Sequence, residues 1–177
     1  FEAACVLVRD RKAHREAFAL TPEYLEKTER GLASGALWFS EYGLQLSRGF
    51  RALKVWLSIK EHGLDRFGRL IDRNLAQAHE LAALVQAEPD LELLAPVATN
   101  IVCFRYNPGG LSDEQLNALN EELLIRLHES GIAAPSYTTL DGRYCLRAAI
   151  VNYRTTSADL PVLVGAVREI GASLPRP

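Results

Sequence analysis

The segment Ser112-Asp113-Glu114-Gln115 restricts the folding of this chain more than any other. A serine followed three residues later by glutamine lets each side chain satisfy the other residue's backbone N–H, so a helix starts here. Beyond it Leu116, Leu119, Leu123 and Leu127 recur at helical spacing and form one apolar face, and Gly131 supplies the expected stop. Such a face needs a covering layer. Leu91–Leu94 and Ile101–Tyr106 read as strands, the second closed by the turn Asn107-Pro108-Gly109-Gly110. Tyr144–Val151 alternates, with Tyr144, Leu146, Ala148 and Ile150 on one side and Cys145, Arg147, Ala149 and Val151 on the other. A last helix is expected from Ser157 or Ala158 to Ser173. The order strand, strand, helix, strand, helix predicts an α+β arrangement, with helices on one face of a small, largely antiparallel sheet.

Upstream, the spacing predicts a helix from near Ser47 to Lys60, with Phe50, Leu53 and Leu57 on one stripe and Arg48, Arg51 and Lys54 on another. Gly63 breaks or kinks it. A second helix is expected over 64–86, where Leu64, Phe67, Ile71, Leu75, Ala78, Ala82 and Val85 recur, and it stops before Pro89. The opening run Ala3–Val8 is continuously apolar, the pattern of a strand covered on both faces. From there to about Gly35 the sequence is charged and weakly periodic, and reads as a mobile lid or binding loop. A chain with no methionine that opens inside a strand-like run is expected to be a piece of a longer protein.

At 177 residues, 48% hydrophobic and 24% charged, the chain can bury a real core and is too apolar to be disordered. A net charge of −2 gives no basic field to attract nucleic acid or an anionic membrane surface. With no window of about 20 apolar residues, no spanning helix is expected. Cys5, Cys103 and Cys145 are odd in number and lie in apolar runs, which predicts buried thiols in a reducing compartment and a cytoplasmic protein. His14, His62, His79 and His128 show no metal-ligand spacing. Phosphate loops, dinucleotide fingerprints and nucleophile elbows are absent from the sequence.

A few residues remain that can carry chemistry. The Arg48, Arg51, Lys54 stripe fits either a solvated helix face or a phosphate or carboxylate contact. Arg147 stands on an otherwise apolar strand face, where an unpaired charge is costly, so it must meet an anion or reach solvent. Tyr24 lies within the expected lid, where an aromatic residue can simply anchor the loop.

The wording of four collinear segments resembles the group II pyridoxal-phosphate decarboxylases, which include aromatic-amino-acid, histidine, glutamate and diaminobutyrate decarboxylases. Phe1-Glu-Ala-Ala-Cys-Val-Leu-Val-Arg9 is similar to the strand that follows the family's His-Lys-Trp motif, whose lysine forms the Schiff base and would lie just before Phe1. Leu20-Thr-Pro-Glu-Tyr-Leu25 resembles the catalytic loop, Leu46-Ser-Arg-Gly-Phe-Arg-Ala-Leu-Lys-Val-Trp56 the most specific carboxyl-terminal motif, and Tyr144-Cys-Leu-Arg-Ala-Ala-Ile-Val-Asn152 a strand near the family's end. The resemblance implies an overall α/β fold of pyridoxal-phosphate fold type I. Residues 1–54 would end the large cofactor-binding domain and residues 55–177 would form the small carboxyl-terminal domain. It implies pyridoxal phosphate as cofactor, an L-amino acid as substrate, an amino-terminal portion of the same enzyme as partner, and a homodimer. Tyr24 takes the proton-donor role, Arg147 and Ser47 contact or shape the substrate site, and Arg48 organises the cofactor edge indirectly. A phenol is protonated at neutral pH, as that donor must be. The alternatives are a non-catalytic α+β module and a carbon-carbon lyase of the same superfamily.

Overall fold

The computed structural model describes residues 2–19, 29–31, 34–35 and 37–175, and divides the chain into two compact units, residues 1–63 and 64–177. None of its described helices is long and apolar enough to cross a membrane.

The second unit is the α+β body. Its elements are α3 (Leu64–Ala87), β1 (Leu91–Leu93), β2 (Ile101–Tyr106), α4 (Asp113–Ser130), β3 (Ser136–Leu140), β4 (Arg143–Ala149) and α5 (Asp159–Ser173). The strands form one antiparallel sheet in the order β1-β2-β4-β3. Register places Val102 opposite Ala148 and Phe104 opposite Leu146, so these four share a face. On it they meet Ala78, Leu81 and Val85 of α3, Leu119, Leu123 and Leu127 of α4, and Val164 and Val167 of α5 in one buried cluster. Helices therefore cover one face of an antiparallel sheet, as the alternation of the strands requires.

The local signals explain these boundaries. Ser112 and Gln115 form the reciprocal cap at the start of α4, and Gly131 ends it in the left-handed conformation. Asn120, fully buried in α4, accepts from the Tyr106 N–H and donates to the carbonyls of Tyr106 and Leu116, each at 2.8 Å, so both ends of its own side-chain amide are satisfied. Asn117, one turn earlier, accepts from Tyr144 N and donates to Gly142 O, tying the β3–β4 hairpin to the helix. β3 is not in the order expected from the sequence. Its signal is the pair Asp141-Gly142, both at positive φ, which makes a two-residue hairpin closing on Leu140 and Arg143.

The first unit holds α1 (Arg11–Phe18), a 3₁₀ turn (Phe39–Tyr42) and α2 (Ala52–His62). α1 lies where a loop was expected. The Asp10 carboxylate caps it by accepting from the backbone of Lys12 and Ala13, and Arg15 forks onto the buried Glu41 carboxylate at 2.7 and 3.0 Å. No residue of α1 is buried, and its eight residues are mostly polar, so the segment is too short and too poor in large apolar side chains to stand out as a helix. α2 begins at Ala52 rather than near Ser47, because turn bonds from Arg51 N to Gly49 O and Leu53 N to Phe50 O precede it and no side chain caps an earlier start. Gly63, at φ 75°, ends it. Residues 2–8 form no ladder with any described strand, and Val6 and Leu7 are exposed, which corrects the expectation of a strand covered on both faces. Cys5 is exposed too, whereas Cys145 is buried and Cys103 half-buried, so the expectation of buried thiols fails at Cys5.

Among the described glycines the tightest surroundings are those of Gly171 in α5, where an added Cβ would sit 2.6–2.8 Å from the ring of the buried Tyr106. Gly171→Ala should therefore destabilise the complete protein by about 1–3 kcal/mol, despite alanine's helix advantage of up to ~1 kcal/mol. Urea unfolding midpoints of the two proteins check this.

Candidate functional site

Because strand side chains alternate, the pairing that buries Phe104 and Leu146 turns Cys103, Arg105, Arg143, Cys145 and Arg147 to the opposite face of the sheet. Arg105 is 4% exposed there, with Nε 2.8 Å from Glu92 and Nη1 2.9 Å from Asp113. Arg143 approaches the other Glu92 oxygen at 3.4 Å, and Asn107 donates to Glu92 at 2.9 Å. Partial burial alone would raise the Glu92 carboxyl, but the hydrogen bonds from Arg105 and Asn107 and the charges of Arg105 and Arg143 hold it below the usual carboxylate range. Burial likewise lowers the Arg105 guanidinium, and its bonds to Glu92 and Asp113 more than reverse this. Burial, with Cys103 nearby, pushes the Cys145 thiol up to about 11, so it is an inert packing group.

Arg147 differs from Arg105 on the same face. It is half-buried, and among the described residues no carboxylate pairs with it. Its Nη1 donates to Ser136 Oγ at 3.3 Å, and that hydroxyl donates to the Arg147 carbonyl at 3.1 Å, so the β3 serine braces the arginine from the edge of the sheet. Both residues line a cleft of about 470 Å³. Its walls include Leu81 of α3, Ile132 and Pro135 of the α4–β3 connection, and Thr155 and Leu160 around the start of α5. Asp159 also lines it, but one of its carboxylate oxygens accepts from Thr156 N at 2.8 Å and Thr156 Oγ1 at 3.0 Å, tying it to the turn before the helix. A half-buried guanidinium without a carboxylate, in a mainly apolar cleft, suits the carboxylate of a small molecule with an apolar side chain. Ser136 has no counterpart among the residues expected from the sequence, because β3 itself was not expected there.

Ser47 and Arg48 lie in the first unit and are exposed, in the stretch that precedes α2. The Arg48 guanidinium lies over Gly43, 3.5 Å from where a Cβ would stand. Tyr24 falls outside the described residues. Lys12, Lys54, Lys60 and Arg48 are exposed, and none of them lines the Arg147 cleft. Among the described residues no group of His, Cys, Asp or Glu is placed to hold a metal.

Residues 1–107 match the family described as the pyridoxal-dependent decarboxylase conserved domain. The chain is 35% identical over 161 residues to an aromatic-L-amino-acid decarboxylase of Bacillus atrophaeus, covering 90% of this chain and 33% of that one. It is similar to the crystal structure of tryptophan decarboxylase of Catharanthus roseus in complex with L-tryptophan, with TM-score 0.69 at 25% identity over 77% of this chain and 29% of that one. Mouse CSAD in its apo form shares the fold over 94% of this chain and 35% of that one, with TM-score 0.80 at 20% identity. The chain thus spans about a third of the length of the relatives it matches.

The Glu92 network yields a signed prediction. Because the folded carboxyl binds its proton less readily than the unfolded one, its stabilising contribution is complete above about pH 5 and fades as pH falls through the lowered pKa. Glu92→Gln should lower stability at neutral pH, where it leaves Arg105 buried with less compensation, and should flatten the loss of stability on acidification. Urea midpoints of the complete protein measured from neutral to acid pH test both parts.

Proposed function

We propose, since the chain belongs to the pyridoxal-dependent decarboxylase family, that the complete protein removes the carboxyl group of an L-amino acid as carbon dioxide and releases the amine. The match of residues 1–107 to the family carries this reading. Relatives it matches include, by their names, decarboxylases of aromatic amino acids and of tyrosine, and the apolar walls of the Arg147 cleft support that class of substrate. Pyridoxal phosphate is the proposed cofactor, held by residues beyond those described here.

In this reading Arg147 binds and orients the substrate carboxylate, with Ser136 fixing the guanidinium. Ser47 shapes the substrate site, and Arg48 braces the edge of the cofactor domain. Loss of carbon dioxide leaves an electron pair at Cα that must take up a proton, and the Tyr24 hydroxyl supplies it. An unperturbed phenol holds that proton at neutral pH. Residues 1–54 complete the large domain and residues 55–177 the small one. Exposed Phe50, Trp56 and Leu57 support burial of this stretch against further protein, for which we assign the amino-terminal portion of the enzyme and a second copy in a homodimer. Three unpaired cysteines support a cytoplasmic setting.

The complete enzyme should release carbon dioxide from L-tyrosine or L-tryptophan in preference to L-histidine, L-glutamate or L-2,4-diaminobutyrate. Tyr24→Phe should slow amine formation by about 10²–10⁴-fold, the ordinary worth of a positioned proton donor. An unchanged rate and product would remove Tyr24 from the mechanism, while the substrate panel tests the decarboxylase reading separately.

A further inference from the structure

β4 runs from Arg143 to Ala149 and passes into an irregular segment before α5 begins at Asp159. Both ends of this segment are tied locally. At its start, Ile150 N donates to Asn100 O at 2.9 Å and Asn100 Nδ2 donates to Ile150 O at 2.8 Å. At its end, Thr156 N and Oγ1 donate to Asp159. Between those ties, its side chains are mostly exposed and contribute little to the core.

The middle of the segment is held by one stripe of α3. Arg73 Nη2 donates to the Tyr153 carbonyl, Gln77 Nε2 donates to the Thr155 carbonyl at 2.8 Å, and Glu80 accepts from Ser157 Oγ at 2.7 Å. These three follow one another at spacings of four and three residues, so they stand in a row along the helix. Arg73 and Glu80 are exposed, as charged helix residues usually are, whereas Gln77 is 3% exposed. Its neighbours Ala78, Leu81 and Ala82 are buried apolar residues, and its own Oε1 has no protein partner among the described residues. Packing by itself gives no reason for an amide at such a site, where an apolar side chain of equal size would fill the volume at lower desolvation cost. The bond to Thr155 supplies the reason. Thr155 lines the same cleft as Arg147, and α3 contributes Leu81, one turn beyond Gln77, to that cleft as well.

We propose that Gln77 is a positioning residue for the substrate carboxylate. By holding the Thr155 carbonyl it fixes the Tyr153–Ser157 segment, and with it the wall of the cleft that faces the carboxylate bound at Arg147. This rests on the reading of Arg147 given under the proposed function and names what keeps that site in shape. Gln77 touches no reacting atom, so it governs how well the amino acid is held and leaves the proton transfer to Tyr24 alone. The amine product has no carboxylate, and its binding is independent of Gln77.

The test uses the complete enzyme with the L-tyrosine and tyramine pair or the L-tryptophan and tryptamine pair, whichever acid turns over faster. Gln77→Met keeps the volume and removes the donor. It should raise KM for the acid about tenfold, the worth of one hydrogen bond to a buried partner, with kcat changed by less than about twofold. The inhibition constant of the amine should not move. Glu80→Gln, an exposed change that leaves the core intact, should raise KM in the same direction by less, and it carries the test if Gln77→Met does not fold. Combining Gln77→Met with Arg147→Lys should add little to Arg147→Lys alone, because both act on one contact. Unchanged KM in both α3 variants overturns the proposal, and so does equal weakening of acid and amine, which marks general loosening. If Arg147→Lys leaves KM unaltered, the Arg147 reading falls first and Gln77 with it. If wild-type enzyme turns over neither acid, the aromatic substrate reading fails before any variant is made.

Discussion

Phe104 and Leu146 face each other across β2 and β4, both fully buried, and the rest of the second unit follows from their contact. Two large apolar side chains side by side on neighbouring strands demand a cover, and Leu81, Leu123 and Val167 from three helices provide it. Burial of this kind is worth roughly 25 cal/mol per Å² of apolar surface, and it is lost if either strand slips by one residue. Since strand side chains alternate, the same register sends Arg105, Arg143 and Arg147 to the far side. The chemistry-bearing face exists because the other face is filled with hydrocarbon.

The polar residues divide by how completely they are paired. Asn120 and Arg105 are buried, and each is surrounded by groups that compensate it: three 2.8 Å hydrogen bonds at Asn120, two carboxylates at Arg105. They hold α4 and β1 to the sheet. Among the described residues no carboxylate pairs with Arg147, which is braced by a serine hydroxyl and borders a cleft. Identical guanidinium chemistry on one sheet face thus serves structure in one case and remains available for an anion in the other, and the difference lies in which strands bring carboxylates alongside.

The first unit is organised differently. Glu41, the one buried charged group among its described residues, is met by the Arg15 fork, which joins α1 to the 3₁₀ turn across a long stretch of sequence. Around it, apolar residues such as Leu7, Phe50 and Trp56 stand in solvent. The carboxyl-terminal body carries its own core, while the described segments before it leave these apolar side chains exposed.

Elements with a strong apolar period were legible from residues alone. The capping box and leucine stripe of α4, the long stripe of α3, and the alternation in β4 are local patterns whose energetics do not depend on distant parts of the chain. Family wording likewise singled out Tyr24, Ser47, Arg48 and Arg147. α1 was hidden because its anchor, Arg15 on Glu41, is an ion pair between segments and leaves no apolar trace. β3 was hidden because its exposed, polar strand is identified mainly by the Asp141-Gly142 turn. The sequence by itself determined that Arg147 sits on the strand face opposite Leu146, because side-chain alternation is a property of the backbone. Only the tertiary structure decided that no carboxylate of the described residues would reach Arg147, that Ser136 would brace it, and that Gln77 would hold the nearby wall, because partners far apart in the chain meet only when the sheet and helices have packed.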